Sequence, residues 1–327
     1  MAVVGRMLSA SILFLSFLCQ SEAASAQTAF APPPPGVLRQ YQRATERAVD
    51  QIIGDFLPQL RPEQRALVTS IDIVVPSSGN FDRVFAVNGP DGRRIEIDVG
   101  FIVVMELIQD AAILTSVHGI GDAKTFEKYA YLVADLFLEN SNAYRRGQPR
   151  KAIPPYVQVV SVPPARFQPI YSSPDFQNLR VEYKVQTLAV VLGHELGHHL
   201  LGHLDADKLA ARRNSGLTEE AKSNESRRRE ASADAFGVDL AIRAGYNPLE
   251  AAWPFIFFAM LGDDPDITTR SHPDSGCRAG RVFKAGAKAA MAKPDFVKEL
   301  ERKGLRAKWE REIEGELERL LKDCKDE

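Results

Sequence analysis

The sequence has no excess of charge of either sign, since its 327 residues include 41 basic and 43 acidic side chains. Surfaces that bind nucleic acid carry a clear basic excess, so this balance argues against a nucleic-acid partner. The sequence also lacks a long uninterrupted apolar run after its N-terminal region. The run Val99–Leu114 is broken by Glu106 and Asp110, and Trp253–Leu261 has about half the length of a bilayer span. We therefore expect no later membrane span, and one large core or two modest ones.

The first residues have the three parts of a secretory signal peptide. Arg6 supplies the positive start, Leu8–Leu18 the apolar centre and Ala24-Ser25-Ala26 a small-residue cleavage site. This pattern predicts a signal peptide over residues 1–26, a mature chain beginning near Gln27, and export to a periplasm or to the medium. The alternative is an uncleaved membrane anchor, although the apolar centre is short for a full span. A peripheral association with a membrane also stays open.

Cysteine is rare, with three residues in the whole sequence. Two of them, Cys277 and Cys324, follow the region of the signal, and their spacing matches no zinc-binding cysteine pattern. In an exported chain they would meet oxidising conditions, which makes a single disulfide plausible. The sequence does not decide whether they pair.

Hydrophobic periodicity predicts a mostly helical α+β domain over residues 38–327, after a proline-rich linker at residues 27–37. The segment Asn88-Gly89-Pro90-Asp91-Gly92 lies between two apolar runs and predicts a hairpin, and hence a small antiparallel sheet. Prolines and scattered aromatic residues predict an irregular insertion at about residues 145–180, which would form either a flap or a passive surface wrap. The predicted helices span residues 38–56, 101–115, 125–144, 185–204, 225–244 and 294–321, and the predicted strands span residues 71–75, 84–87 and 95–99.

One short stretch, His194-Glu195-Leu196-Gly197-His198, carries the chemistry. Residues four apart lie on the same face of a helix, so His194 and His198 can hold one metal ion between them. Glu195 lies beside that pair, where it can take a proton from an attacking water. Apolar residues flank the stretch at helical spacing, so the motif predicts a zinc site on a helix. The nearby histidines, His199 and His203, are expected at the surface.

Two histidines leave a catalytic zinc site one ligand short, because three protein ligands and one open position are usual. A histidine six residues after His198 would supply the third ligand, but that position is Leu204. Glu230 suits the role, since Asp234 lies one turn on and could accept a hydrogen bond from a ligand histidine. The rival glutamates, none of which has an aspartate four residues later, are Glu219, Glu220 and Glu225.

With these residues, the sequence resembles the gluzincin metallopeptidases of the HtpX and CaaX-prenyl-protease type. The resemblance extends over about residues 71–283. It rests on three segments and one arginine: Leu192-Gly193-His194-Glu195-Leu196-Gly197-His198, Glu230-Ala231-Ser232-Ala233-Asp234-Ala235-Phe236, Ser271-His272-Pro273 and Arg278. Because many members of that family have several membrane spans and this chain has none after its signal, it looks like a soluble, exported branch.

The resemblance implies a zincin-like fold with one zinc ion at His194, His198 and Glu230. It also implies that Glu195 is the general base and that His272 and Arg278 lie at the substrate side of the metal. The hairpin before Val99 resembles the family's edge strand, along which a peptide substrate pairs.

These expectations combine into an exported zinc metalloendopeptidase acting on peptides or unfolded proteins, for example in envelope protein quality control. Glu195 and His272 would be its catalytic residues, and Tyr246 is a second candidate for stabilising the oxyanion. The alternative is a catalytically silent zinc-binding chaperone or assembly factor with the same fold. The intact Glu195 favours the enzyme, because a scaffold does not need the base.

Overall fold

The computed structural model describes residues 35–77, 84–205, 216, 218–247, 275–322 and 324. The predicted signal peptide, most of the proline-rich linker and His272 lie outside these residues. The helices in the described part of the chain are α1 (Pro35–Phe56), α2 (Pro62–Val68), α3 (Val99–Ser116), α4 (Ala123–Arg145), α5 (Tyr156–Val159), α6 (Pro164–Tyr171), α7 (Pro174–Leu200), α8 (Glu219–Arg243), α9 (Ser275–Met291), α10 (Pro294–Arg302) and α11 (Arg306–Leu321). The strands are β1 (Asp72–Val74), β2 (Val84–Gly89) and β3 (Gly92–Ile97). The predicted mostly helical α+β architecture is confirmed.

Helix α3 runs through the centre of the core. Every residue from Val99 to Leu114 is buried, and the Asp98 side chain caps the helix by accepting a hydrogen bond from the Gly100 N–H. Within the described residues, α3 is the one helix long and apolar enough to cross a membrane, and 83% of its apolar stretch is buried inside the fold. Burial on all sides is what a core helix requires.

The two acidic residues that interrupt α3 are paired across to α7. Arg180 Nε donates to Asp110 Oδ1 at 2.6 Å, and Arg180 Nη2 lies 3.5 Å from Glu106 Oε2. Lys184 forms a second ion pair with Glu106. We call these four side chains the α3–α7 ion cluster; each is between 10 and 19% exposed. Two carboxylates face two cations, so the cluster is balanced in charge.

The sheet has the order β1-β3-β2. The predicted hairpin is confirmed, because β2 and β3 pair antiparallel up to the Gly89–Gly92 pair. However, β1 pairs with β3 in parallel, with Ile73 opposite Ile95. The predicted antiparallel sheet is therefore a mixed one. A hairpin turn is encoded locally, whereas the direction of β1 depends on a contact between segments far apart in sequence.

The segment at residues 145–180, predicted to be irregular, contains α5, α6 and the start of α7. Pro164 and Pro174 occupy first helical positions, where the missing proline N–H removes no helical hydrogen bond. The aromatic rings of Tyr156, Phe167 and Phe176 are buried in the main core. Because these rings anchor the segment, it is part of the core packing; two of its prolines begin helices, and Pro169 lies inside α6.

The C-terminal region is also more divided than its charge pattern predicts. The single helix predicted over residues 294–321 is the pair α10 and α11, and α9, which precedes them, was not predicted. A disulfide joins Cys277 in α9 to Cys324, with their Cα atoms 5.6 Å apart. The pairing that the sequence left open is thus present, and it ties the end of the chain to α9.

Candidate metal centre

Helices α7 and α8 cross at small residues, and this crossing assembles the centre. A Cβ added to Gly193 on α7 would lie 2.9 Å from Gly237 Cα, and one added to Gly237 on α8 would lie 2.5 Å from the His194 backbone nitrogen. Gly197 meets Ala233 in the same way, at 3.1 Å. With only small side chains between them, the two backbones approach closely enough for Glu230 to reach the histidines. Sequence reasoning missed this crossing, although small residues four apart on both helices are its signal.

His194, His198 and Glu230 are brought together as the sequence predicts. His194 Nε2 lies 3.1 Å from His198 Nε2. The Glu230 carboxylate completes the triangle, with Oε2 at 3.4 Å from His194 Nε2 and Oε1 at 3.4 Å from His198 Nε2. All three side chains are at least mostly buried. This group could hold a metal ion.

The spacing and charge of the group fit a divalent cation. A tetrahedral ion with bonds of about 2.0–2.1 Å holds its ligand atoms about 3.3 Å apart, close to the separations in this triangle. Among the described residues, the buried charged groups of this centre are the carboxylates of Glu195, Glu230 and Asp234 and the guanidinium of Arg278. When the histidines present neutral nitrogens to an ion, these described groups have two negative charges in excess. Buried uncompensated charge is costly, and a divalent cation would balance it.

Asp234 supports His194 from behind. Its Oδ1 lies 2.8 Å from His194 Nδ1, on the opposite side of the ring from the metal-facing Nε2. The predicted hydrogen bond between Asp234 and a ligand histidine is therefore present. Burial lowers the pKa of His194, but the Asp234 charge and the hydrogen bonds to Asp234 and Glu230 raise it more, to about 10. Near pH 7 and without a metal, this pKa means that both ring nitrogens carry a proton. A bound cation would replace the proton on Nε2, while Asp234 keeps the one on Nδ1.

Arg278 holds Asp234 in place. Its Nε and Nη2 each donate a 2.8 Å hydrogen bond to one oxygen of the Asp234 carboxylate, and its side chain is 9% exposed. Burial raises the pKa of Asp234, but Arg278 and His194 lower it by more, so the pKa lies well below its ordinary value. Arg278 was expected either behind the ligands or at the substrate side. Its buried contact with the carboxylate that orients His194 is of the first kind, and a position at the substrate side stays a prediction.

The two histidines expected at the surface are both engaged. His199 is buried, and its Nε2 donates to the Arg94 carbonyl oxygen in β3 at 3.2 Å. His203 folds back over the end of α7, so that its Nδ1 lies 3.2 Å from Nδ1 of the ligand His198. The helix was predicted to continue to residue 204, but α7 ends at Leu200. The predicted direction of the His203 side chain was therefore wrong.

The remaining predicted site residues are distributed as follows. Glu195 is buried beside the two histidines, and its charge is close enough to contribute to the raised pKa of Arg278. Glu225 precedes Glu230 by about 8 Å along α8 and is not in the triangle. The side chains of the other two rivals, Glu219 and Glu220, lie outside the described part of the chain. Tyr246 donates a 2.7 Å hydrogen bond to Asp55 in α1.

Tyr246 lies just beyond the end of α8, which is at Arg243. Its ring packs against Phe56, with the centroids 6.0 Å apart. These contacts hold α1 against the end of α8, and the role of Tyr246 as a second oxyanion donor stays a prediction.

Comparisons with protein-family models, with curated proteins and with solved structures find no match to this chain.

Proposed function

We propose that the metal is zinc and that the protein is a zinc-dependent endopeptidase. The observation that carries the proposal is the buried triangle of His194, His198 and Glu230 with Glu195 beside it. Two imidazole nitrogens and one carboxylate are a donor set that zinc accepts readily. Three protein ligands, with a fourth position left for water or substrate, are typical of catalytic zinc rather than structural zinc.

The chain's own residues supply the proton chemistry of the proposed hydrolysis. Zinc, when bound, supplies a Lewis acid that polarises the scissile carbonyl and lowers the pKa of a water. Glu195 takes the proton of the attacking water on its carboxylate and delivers it to the leaving amine. Asp234 and Arg278 hold His194 in the orientation that leaves Nε2 free to bind the ion.

The proposed substrate is an extended peptide or an unfolded protein segment that pairs with β2. In the described sheet β2 is an edge strand, and its residues Phe85 and Val87 are 37 and 38% exposed. The Asn88 side chain at its end donates to the Leu204 carbonyl, just beyond the motif helix. A peptide added to this edge would gain main-chain hydrogen bonds and run toward the metal centre.

We propose that the protein acts outside the cytoplasm, in protein quality control of a cell envelope. The disulfide between Cys277 and Cys324 supports this location, because disulfides persist in oxidising compartments. The N-terminal pattern of Arg6 and Leu8–Leu18 supports it independently. Taken with its three motifs, the chain is proposed as a soluble, exported relative of the gluzincin peptidases.

The test is degradation of an unfolded test protein by the purified chain beginning at Gln27. We expect about one zinc ion per chain, cleavage of the test protein, and loss of cleavage on chelation with recovery on adding zinc. The Glu195→Gln variant is the control for contaminating peptidases. A chain that binds zinc but cleaves nothing would contradict the proposal and favour the non-catalytic zinc-binding factor.

A further inference from the structure

The two ligand histidines have different partners on their Nδ1 atoms. His194 Nδ1 meets the carboxylate of Asp234, whereas His198 Nδ1 meets another histidine, His203, at 3.2 Å. His203 in turn places Nε2 at 3.3 Å from Ser232 Oγ, and Ser232 Oγ donates to the Arg229 carbonyl at 2.9 Å. These contacts form a hydrogen-bond network that leads from a metal ligand to a backbone carbonyl on α8.

Binding of a cation by His198 Nε2 would fix which atom of this hydrogen-bond network carries each proton. Nε2 must present its lone pair, so the His198 proton is on Nδ1 and needs an acceptor. His203 Nδ1 accepts it, which puts the His203 proton on Nε2, where it is donated to Ser232 Oγ. Ser232 then donates its own proton to the Arg229 carbonyl. Every donor in the network then has an acceptor, and both imidazoles are neutral.

The turn that carries His203 is built to place it. The backbone at Gly202 has a φ of +69°, in the left-handed region, and the His203 N–H donates to the His198 carbonyl at 2.9 Å, so the chain reverses over the helix end. Arg229 on α8 donates to the His203 carbonyl at 2.8 Å, and Asn88 from the hairpin donates to the next carbonyl, that of Leu204. Two other elements therefore hold this turn against the metal centre.

We propose that His203 is a positioning residue for the metal ligand His198: it accepts the His198 Nδ1 proton and so fixes the tautomer and the ring orientation for metal binding. The inference rests on the proposed metal site but not on peptide hydrolysis. Hydrogen-bond partners of ligand histidines typically change metal affinity by about 10–100-fold when they are removed.

The experiment measures zinc affinity of the chain from Gln27 by competition with a chromophoric chelator. His203→Phe keeps a ring but removes both nitrogens, and we expect its dissociation constant to rise by about 10–100-fold. His203→Asn places Oδ1 where Nδ1 was, so it keeps an acceptor and should recover most of the affinity. His118→Phe, a matched substitution whose ring lies against Phe176, should bind zinc like the parent.

The variant Ser232→Ala gives an independent arm if His203→Phe folds poorly, because Ser232 is exposed and its loss removes only the anchor of the His203 ring. We expect a smaller weakening of zinc affinity, in the same direction. Parent affinity in His203→Phe, or equal weakening in His203→Asn and His203→Phe, would overturn the proposal. A parent chain that binds no zinc would overturn it together with the metal site, whereas zinc binding without cleavage would leave it intact and contradict only the peptidase.

Discussion

Helix α7 contributes to two groups of buried charged side chains, the α3–α7 ion cluster at its N-terminal half and the metal centre near its C-terminal end. In the ion cluster, Glu106 and Asp110 are matched by Arg180 and Lys184. At the metal centre, three carboxylates share one guanidinium, and two histidine nitrogens face each other at 3.1 Å.

The comparison distinguishes a structural group from a binding group by charge balance. In a cluster with equal numbers of positive and negative groups, the charges pair with one another and an added ion brings no stabilisation. A cluster with excess negative charge and converging lone pairs is stabilised by a cation. Both are buried and both include side chains of α7, so neither burial nor the shared helix distinguishes them. Metal, pH and single substitutions should therefore affect the two clusters differently.

The largest expected effect is on activity, and it distinguishes the proton acceptor Glu195 from the metal ligands. Glu195→Gln should lower peptidase activity by about 10²–10⁴-fold, because the amide cannot take the proton of water. Its zinc content, measured by elemental analysis, should stay at the parent level. His198→Ala should lose both activity and zinc. If Glu195→Gln lost its zinc or kept full activity, the assigned roles would be wrong.

The ion cluster should be sensitive to the loss of one partner, but not to metal. Glu106→Gln should lower the free energy of unfolding by about 3 kcal/mol near pH 7, because Lys184 and Arg180 then keep a buried excess of positive charge. Denaturant titration measures the change. The stabilisation that zinc adds should be the same as in the parent, and a loss of that increment would show that the two clusters are coupled.

The same cluster has a defined pH dependence. Burial raises the pKa of Glu106, but the charges of Lys184 and Arg180 lower it more, so the folded value is below the ordinary value of 4.5. Its contribution to stability is therefore complete above pH 4.5 and is lost as the pH falls from there through the folded pKa. The stability difference between parent and Glu106→Gln should narrow over that range, and a constant difference would contradict the assigned pairing.

The metal centre should respond to metal in a way that the ion cluster does not. At zinc concentrations about 100 times the dissociation constant, the parent should gain about 2.7 kcal/mol of unfolding free energy over the chelated chain. Glu230→Gln removes one ligand charge and should lose most of that gain. Glu225→Gln, on the same helix outside the triangle, should keep it. Equal gains in both variants would remove Glu230 from the ligand set.

The smallest expected effect concerns the helix crossing beneath the metal centre. Gly237→Ala should cost about 1–3 kcal/mol of unfolding free energy and weaken zinc binding, because the added Cβ meets the His194 backbone. Gly54→Ala on α1 has nothing within 4 Å of the added Cβ. It should be neutral or stabilise the fold by about 0.4–1 kcal/mol. Equal effects of the two substitutions, measured by thermal unfolding, would show that the crossing is not tight.

Local spacing carried the parts of the site that were predicted correctly. His194 and His198 are four apart, as are Glu230 and Asp234, and four residues in a helix return to the same face. The hairpin at Gly89–Gly92 was predicted for a similar reason, since its turn residues are neighbours in sequence. The wrong predictions concern contacts between elements. The sheet was expected to be antiparallel, but β1 pairs in parallel with β3. His199 was expected at the surface, but it is buried against Arg94.

The sequence by itself determined that α7 presents two histidines on one face and that Glu230 and Asp234 share a face of α8. It could not determine that these faces meet, because that depends on the close approach of Gly193 and Gly237. The turn at Gly202 likewise reverses the chain where helical periodicity ends, and only the packed structure brings His203 onto His198. Helical faces follow from backbone geometry over a few residues, whereas a metal centre assembled from two helices follows from packing between segments that the sequence leaves far apart.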